Sequence, residues 1–271
     1  MRPTHQQPSE KFSITPPDAA IWKTLKQNIK AITLDLWGTL FDDNHTPSDT
    51  IVYSERRQNF LRDELEHAGY VVDPDKMKAA YKRAWIYFDE MWAQQKAFDA
   101  ADGVREMLHF LDAKLPPENF SRVVRYFEEV FVGDLPPQLD NSMAAVKKLS
   151  SVYPLSLISD TAWTPGRVMR SALDSYGALD SFRATIFSGE VGVTKPHPKM
   201  FQLALEKLGV KPSECMHVGD LQRTDIAGAK ALGVHTAWIC RPVYAGKQQE
   251  DAGPEVIVSS VKELADRMMN D

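Results

Sequence analysis

The chain has 271 residues, 43% of them apolar and 25% charged, with 14 Gly and 17 Pro. Such composition argues against a collagen-like, coiled-coil or largely disordered protein, and the length suffices for one large domain or two modest ones. Against 37 acidic residues stand 32 Lys and Arg, a formal net charge of −5, which leaves no footprint for a nucleic-acid backbone and no polybasic patch for a membrane.

Residues 1–20 are polar, rich in Pro, Ser and Gln, and lack both an apolar h-region and a run of arginines; they read as a flexible tail rather than a signal or transit peptide. A short helical pattern over Ile21–Lys30 leads into the apolar, β-prone run Ala31-Ile32-Thr33-Leu34-Asp35-Leu36, which Gly38-Thr39 halts. That pattern suits a buried strand ending in a tight turn. From Ile51 to Val132 the character changes, with helical spacing over 51–68, 74–95, 100–114 and 117–132, Pro at candidate first turns, and no convincing strand. The stretch Gly133-Asp134-Leu135-Pro136-Pro137 closes this block as a candidate hinge, with Thr46–Ser48 as its counterpart.

Beyond it the pattern alternates. Helix 142–151 precedes strand 155–159, helix 166–176 precedes strand 184–187, and helix 198–208 precedes strand 215–219. Helix 224–232 precedes strand 235–240, and strand 256–258 leads to a last helix over 261–269. Alternation of this kind implies a parallel, Rossmann-like α/β sheet covered by helices. The expected organisation is an α/β core over 21–48 and 136–271, interrupted by an all-helical cap over 49–135. The longest apolar runs, such as Trp238-Ile239-Cys240, fall far short of a membrane span. The two cysteines, Cys215 and Cys240, make no disulfide framework, so the expected compartment is a reducing cytoplasm.

Ligands of such sheets bind at the carboxyl ends of the strands. There the sequence offers Asp35-Leu36-Trp37-Gly38-Thr39, then Ser159-Asp160-Thr161, then Lys195-Pro196-His197-Pro198, then Gly219-Asp220 with Asp225. Singly, Asp35 could be a turn former, Lys195 a solvated loop charge, and Asp220 or Asp225 a helix cap. Together, in this order, they read as a phosphoryl site. Three converging carboxylates repel unless a cation neutralises them, and Mg²⁺ takes one or two carboxylates plus phosphate oxygens. Lys195 would balance charge on a nucleophilic Asp35 and on the phosphate. Ser159, the amides at Asp160 and the turn at Gly38 and Thr39 would hold the remaining oxygens.

Over residues about 30 to 260 the chain resembles the haloacid dehalogenase-like (HAD) hydrolase superfamily with a helical cap inserted after the first strand. The resemblance implies that Asp35 is the nucleophile and that the main-chain carbonyl of Trp37 is a Mg²⁺ ligand. It implies Ser159 as the hydroxyl of the second motif, Lys195 as the lysine of the third, and Asp220 with Asp225 as the acidic metal pair. The expected reaction is hydrolysis of a small phosphorylated substrate through an aspartyl-phosphate. Neither a nucleic acid nor a membrane is expected as a partner, and the sequence assigns no oligomeric state.

Two positions depart from the family pattern. Phosphatases of the family usually read Asp-x-Asp-Gly-Thr, the second Asp acting as general acid; here that residue is Trp37. Trp cannot deliver a proton, which favours acidic leaving groups or an acid borrowed from Asp42, Asp43 or His45. The 2-haloacid dehalogenases of the family carry an aromatic residue at this place and attack carbon without metal, which makes dehalogenation an alternative; retention of Asp220 and Asp225 argues for phosphoryl chemistry. A catalytically weak binding protein is a further alternative. Asp160 stands where Asn is more usual: through its amide it would cost little, whereas a carboxylate facing the site would weaken phosphate binding.

In the cap, Trp85, Phe88 and Trp92 recur at helical spacing and read as the cap's own core, with Tyr87 or Trp92 as the residues to watch for a substrate pocket. Trp163 either faces the same cleft or begins a turn, and Arg56, Arg57, Lys82 and Arg83 read as solvated surface.

Overall fold

The structure, a computed structural model, describes residues 19–42, 53–241 and 252–270. The segments holding Asp43, His45 and Thr46–Ser48, and most of the N-terminal stretch read as a tail, lie outside the described residues.

Helix α1 (Ala19–Asn28) leads into β1 (Ala31–Leu34). Four helices follow: α2 (Tyr53–His67), α3 (Pro74–Ala93), α4 (Ala100–Leu111) and α5 (Pro117–Glu129). The chain then alternates through α6 (Ser142–Ser150), β2 (Leu155–Ser159), α7 (Gly166–Ser175), β3 (Phe182–Phe187), the single-turn α8 (Ser188–Val191), α9 (Pro198–Leu208) and β4 (Cys215–Gly219). It ends with α10 (Ala227–Ala231), β5 (His235–Ile239), β6 (Val256–Val258) and α11 (Val261–Met269). Among the described residues no helix is long and apolar enough to cross a membrane.

All six strands are parallel, in the order β3-β2-β1-β4-β5-β6. Strand β1 is central because every one of its residues is buried, and it pairs Leu34 with Leu157 on one side and with Val218 on the other. The two-residue period of a strand divides its side chains between the faces. Ile32, Leu34, Leu155 and Leu157 pack with α1, α6, α7 and α11, whereas Ala31, Ile158 and Cys215 pack with α9 and α10.

Helices α2–α5 form a body of their own around Leu61, Leu65, Met77, Tyr81, Val104, Met107 and Phe127. Local signals set their ends: Asp73 accepts from the amides of Asp75 and Lys76 ahead of Pro74, and Asp99 forms a reciprocal capping box with Asp102. This cluster is completed from outside. Trp163, in the loop after β2, inserts into it, stacking on Tyr81 at 5.3 Å and meeting Phe98 and Phe127 edge-on at 5.4 and 5.5 Å. Gly103 makes room for it, since a Cβ there would lie 2.2 Å from Trp163 Cζ3.

The spacing predicts a helix over 224–232, but Gln222–Ile226 winds as a wider π-type turn and α-geometry begins at Ala227. The cause is Asp225, whose side chain turns back to accept from the Leu221 amide at 3.0 Å.

Candidate active site

The loops leaving β2, β1 and β4 meet because those strands are neighbours and run the same way. The Asp35 amide donates to the Val218 carbonyl at 2.9 Å, continuing the β1–β4 ladder by one residue and fixing Asp35 at the sheet edge. The chain then turns sharply, Gly38 donating to Phe41 and both Leu40 and Phe41 to Leu36. Gly38 has φ +72°, and a Cβ on it would stand 2.2 Å from Asp220 Oδ2. A glycine is therefore required twice, for the left-handed backbone and for the close approach of the Asp220 carboxylate.

Asp35 is 5% exposed and Lys195 3%. Lys195 Nζ donates to Asp35 Oδ1 and to Asp225 Oδ1, both at 2.6 Å, and Thr39 Oγ1 donates to Asp35 Oδ2 at 3.2 Å. Asp225 has more donors: besides Lys195 and the Leu221 amide, His217 Nε2 lies 3.3 Å from its Oδ1. The other ring nitrogen of His217 lies 2.9 Å from Thr33 Oγ1. Burial holds the His217 pKa below its usual value, and the ring is oriented by Thr33 on one nitrogen and Asp225 on the other.

Burial pushes the Asp35 carboxyl up to about 7, Lys195 opposing the rise and Asp225 adding to it. Burial works against the Asp225 charge too, but Lys195 and His217 outweigh it and hold that carboxyl well below the usual carboxylate range. For Lys195 the same contest, burial against Asp225 and Asp35, ends with the ammonium held above its usual value. Asp35, Asp220 and Asp225 offer oxygens within 4.8 Å of one another, all three residues buried. One ammonium among three carboxylates leaves an excess of negative charge that a hard divalent cation fits.

The Asp160 side chain faces the site with both oxygens engaged: Oδ1 accepts from the Lys195 amide at 2.9 Å and Oδ2 from Trp92 Nε1 at 3.0 Å. It thus ties the second and third motifs to α3, and burial raises its pKa.

A cavity of about 380 Å³ opens over these residues, with Asp35, Trp37, Asp160, Lys195 and Asp225 at the sheet edge. The Trp37 ring is part of its wall, packed on Phe41 at 6.0 Å and Phe131 at 6.3 Å. Thr39 touches Asp35, and Gly38 touches Asp220, without lining the cavity. Ser159 is fully buried, its hydroxyl facing the Asp160 carbonyl at 3.4 Å, and it does not line the cavity either. Asp42 reaches the cavity with Oδ1 3.0 Å from Arg241 Nη2. His197 caps α9, its Nδ1 accepting from the Lys199 amide at 3.2 Å.

Two expectations for the cap are corrected. Trp85 and Trp92 form a wall of the cavity and lie outside the cap's cluster, while Phe88 lines the cavity and also packs against that cluster, whose centre is filled by Leu, Met, Val, Tyr81, Phe98, Phe127 and Trp163. Arg57 is 6% exposed and lines the cavity, so it is not a solvated surface residue. A signal for it was present, since Arg57 stands four and eight residues before the buried Leu61 and Leu65, on the inward stripe of α2.

Residues 29–233 match the family model of the haloacid dehalogenase-like hydrolases. The phosphoserine phosphatase of Thermus thermophilus is 36% identical over 99 residues, a stretch that is 36% of this chain and 38% of that protein. The chain thus spans well under half the length of that curated relative. The 5-amino-6-(5-phospho-D-ribitylamino)uracil phosphatase YigB of Escherichia coli (strain K12) is 27% identical over 222 residues, covering 78% of this chain and 83% of that one. Among solved structures, the 2-haloacid dehalogenase from Pseudomonas syringae pv. Tomato DC3000 superposes with a TM-score of 0.62 at 22% identity, covering 89% of this chain and 98% of that one, a likeness of fold. The family match runs from the residues before β1 through β4 and α10, and so takes in Asp35, Ser159, Lys195, Asp220 and Asp225: the chain belongs to the haloacid dehalogenase-like hydrolase family.

Proposed function

We propose that the chain is a Mg²⁺-dependent phosphatase that works through an aspartyl-phosphate at Asp35. The observation that carries this reading is the set of three buried carboxylates around one lysine, with Asp220 pressed against the Gly38 turn. A hydrolase attacking carbon needs the nucleophile and the lysine but has no use for the further acidic pair. The phosphatase names of the relatives from Thermus and Escherichia support the same chemistry.

Asp35 and Asp220 would hold the metal directly, and Asp225, whose oxygens already accept from Lys195, His217 and Leu221, adds charge and orientation. When bound, Mg²⁺ neutralises the phosphoryl oxygens and keeps Asp35 ionised. An Asp35 oxygen bonds to phosphorus while the bond from phosphorus to the leaving oxygen breaks. Lys195, fixed between two carboxylates, balances the charge that develops on the phosphoryl oxygens. Water then cleaves the acyl phosphate, returning the Asp35 carboxylate and releasing inorganic phosphate. The cap excludes bulk water during transfer. Trp37 supplies no proton, so leaving groups stable as anions are favoured. The two unpaired cysteines fit a cytoplasmic setting.

The test is hydrolysis of para-nitrophenyl phosphate, acetyl phosphate and an alkyl phosphate with Mg²⁺ or EDTA. Metal-dependent turnover that falls from the acidic leaving groups to the alkyl one is expected. Trp37 in the cavity wall favours dehalogenation as the second reading, and turnover of 2-chloropropionate in EDTA without turnover of any phosphate would replace the first by the second.

A further inference from the structure

Resting on the phosphatase reading, we infer that Arg57 binds a second anionic group of the substrate, a carboxylate carried on an aromatic leaving group.

The argument begins with charge. Among the described residues two basic side chains line the cavity, Lys195 and Arg57. Lys195 already bridges Asp35 and Asp225. Arg57 has no carboxylate partner among the described residues: its Nε donates to the Phe127 carbonyl at 3.0 Å, its guanidinium lies 5.6 Å from the centre of the Trp163 ring and is hydrogen-bonded to the Tyr81 hydroxyl, and the hydroxyls of Tyr53 and Tyr126 lie near it. Pinning α2 to α5 takes the single Nε–H. A glutamine could make that contact without burying a full positive charge, which is costly unless an anion accompanies it. The ring face of Trp163 offsets part of the cost. Beyond the bonds to Phe127 and Tyr81, the five-donor guanidinium keeps N–H groups with which a carboxylate can pair.

The space between the two cations is aromatic. From Asp160, whose other oxygen accepts from the Lys195 amide, an unbroken wall runs to Arg57. Trp92 donates to Asp160, Phe88 stacks on Trp92 at 5.8 Å, Trp85 meets Phe88 at 5.3 Å and Trp163 at 5.7 Å, and Arg57 sits on Trp163. The wall bonds through rings, so it suits a flat apolar body, and a volume of about 380 Å³ is that of a small-ligand pocket. An aryl oxide also leaves without prior protonation, in keeping with Trp37.

The experiment compares 3-carboxyphenyl phosphate with 3-carbamoylphenyl phosphate, which differ in charge and little in shape, for wild type, Arg57→Gln and Arg57→Lys. Calorimetric binding of 3-hydroxybenzoate and 3-hydroxybenzamide in EDTA runs alongside, so that one readout requires no turnover. We expect wild type to prefer the carboxylate by about 10- to 100-fold in kcat/KM, the worth of a buried charge-assisted pair. Arg57→Gln should bring that ratio close to one and Arg57→Lys should keep part of it. Hydrolysis of both esters with equal kcat/KM would overturn the inference and leave the phosphatase reading standing. Tighter binding of the benzoate by wild type, lost in Arg57→Gln, with neither ester hydrolysed, would uphold the Arg57 assignment and overturn the phosphatase. If Arg57→Gln does not fold, the wild-type ratio and Arg57→Lys decide.

Discussion

Asp35 and Asp225 accept from the same ammonium, yet their proton affinities move in opposite directions. The difference lies in the other donors. Asp225 has the His217 imidazole as well, whereas Asp35 has the Thr39 hydroxyl and the Leu36 amide and faces the charge of Asp225 itself. The ion pair therefore settles on Asp225 and leaves Asp35 the more basic carboxylate, which is the better nucleophile. Because Asp35 holds its proton more tightly folded than unfolded, its contribution to stability is complete below its ordinary value of 3.8 and is lost as pH rises through about 7. Asp35→Asn should accordingly abolish turnover while raising the Tm of the metal-free protein at about pH 8, with no gain at about pH 4. A Tm at the higher pH that falls below wild type would refute this account of Asp35. Asp225 has the reverse sign: its contribution is present above 3.8 and is lost as pH falls below it. Asp225→Asn at neutral pH should cost about 3–5 kcal/mol in a urea titration, because Lys195 and His217 lose their shared partner.

The elements differ in how far their roles can be read from the chain alone. Strand ends were legible, since Asp35, Lys195, Asp220 and Asp225 each follow or precede an unmistakable apolar run, and a parallel sheet gathers such ends on one edge. The face of α3 was not. Trp85, Phe88 and Trp92 have the spacing of a core stripe, and a helix facing a cavity closed by another element has the same periodicity as one facing a core. The π-type turn at Gln222–Ile226 was hidden because its cause is a side chain folding back on its own backbone, which leaves helical spacing intact. Trp163 was ambiguous for a related reason: no local pattern records that a residue of the β2 loop completes the cluster of α2–α5. Its packing gives a pair of expectations. Gly103→Ala should destabilise by about 1–3 kcal/mol through overpacking against the ring, and Trp163→Ala by about 3–5 kcal/mol through the void it leaves. Equal urea midpoints for Gly103→Ala and wild type would mean that the ring has room to move.

At the scale of the molecule, α2–α5 and the sheet are joined by polar ties of different kinds among the described residues. Trp92 donates to Asp160, Arg167 of α7 reaches Glu128 and Glu129 of α5 at 2.5 and 2.7 Å, and the backbone after α3 pairs with the segment before Lys195, Thr194 donating to Gln95 at 3.2 Å and Ala97 to Gly192 at 3.4 Å. The Arg167 pairs are partly exposed, worth little each and weakened by salt. The sheet beneath is closed more firmly, and its cysteine reports on it. Cys215 lies within β4, with burial pushing its thiol up to about 12, whereas Cys240 is half-buried. A disulfide reagent at about pH 8 should therefore modify at most one thiol in the native protein and two in urea. Fast native labelling of both would mean that β4 opens without global unfolding.

Synthesis from the N-terminus gives Trp163 a further part. β1 leaves the ribosome before either of its neighbours, β2 and β4, and all of α2–α5 is made before the residue that fills their centre. The nascent chain thus carries two unfinished apolar bodies at once, a strand with both edges open and a helical cluster with a ring missing. The stretch from Leu155 to Trp163 relieves both, pairing β2 with β1 and delivering the indole to the cap within nine residues of chain. Translation past that stretch is the point at which the cluster of α2–α5 and the sheet become parts of one packing problem.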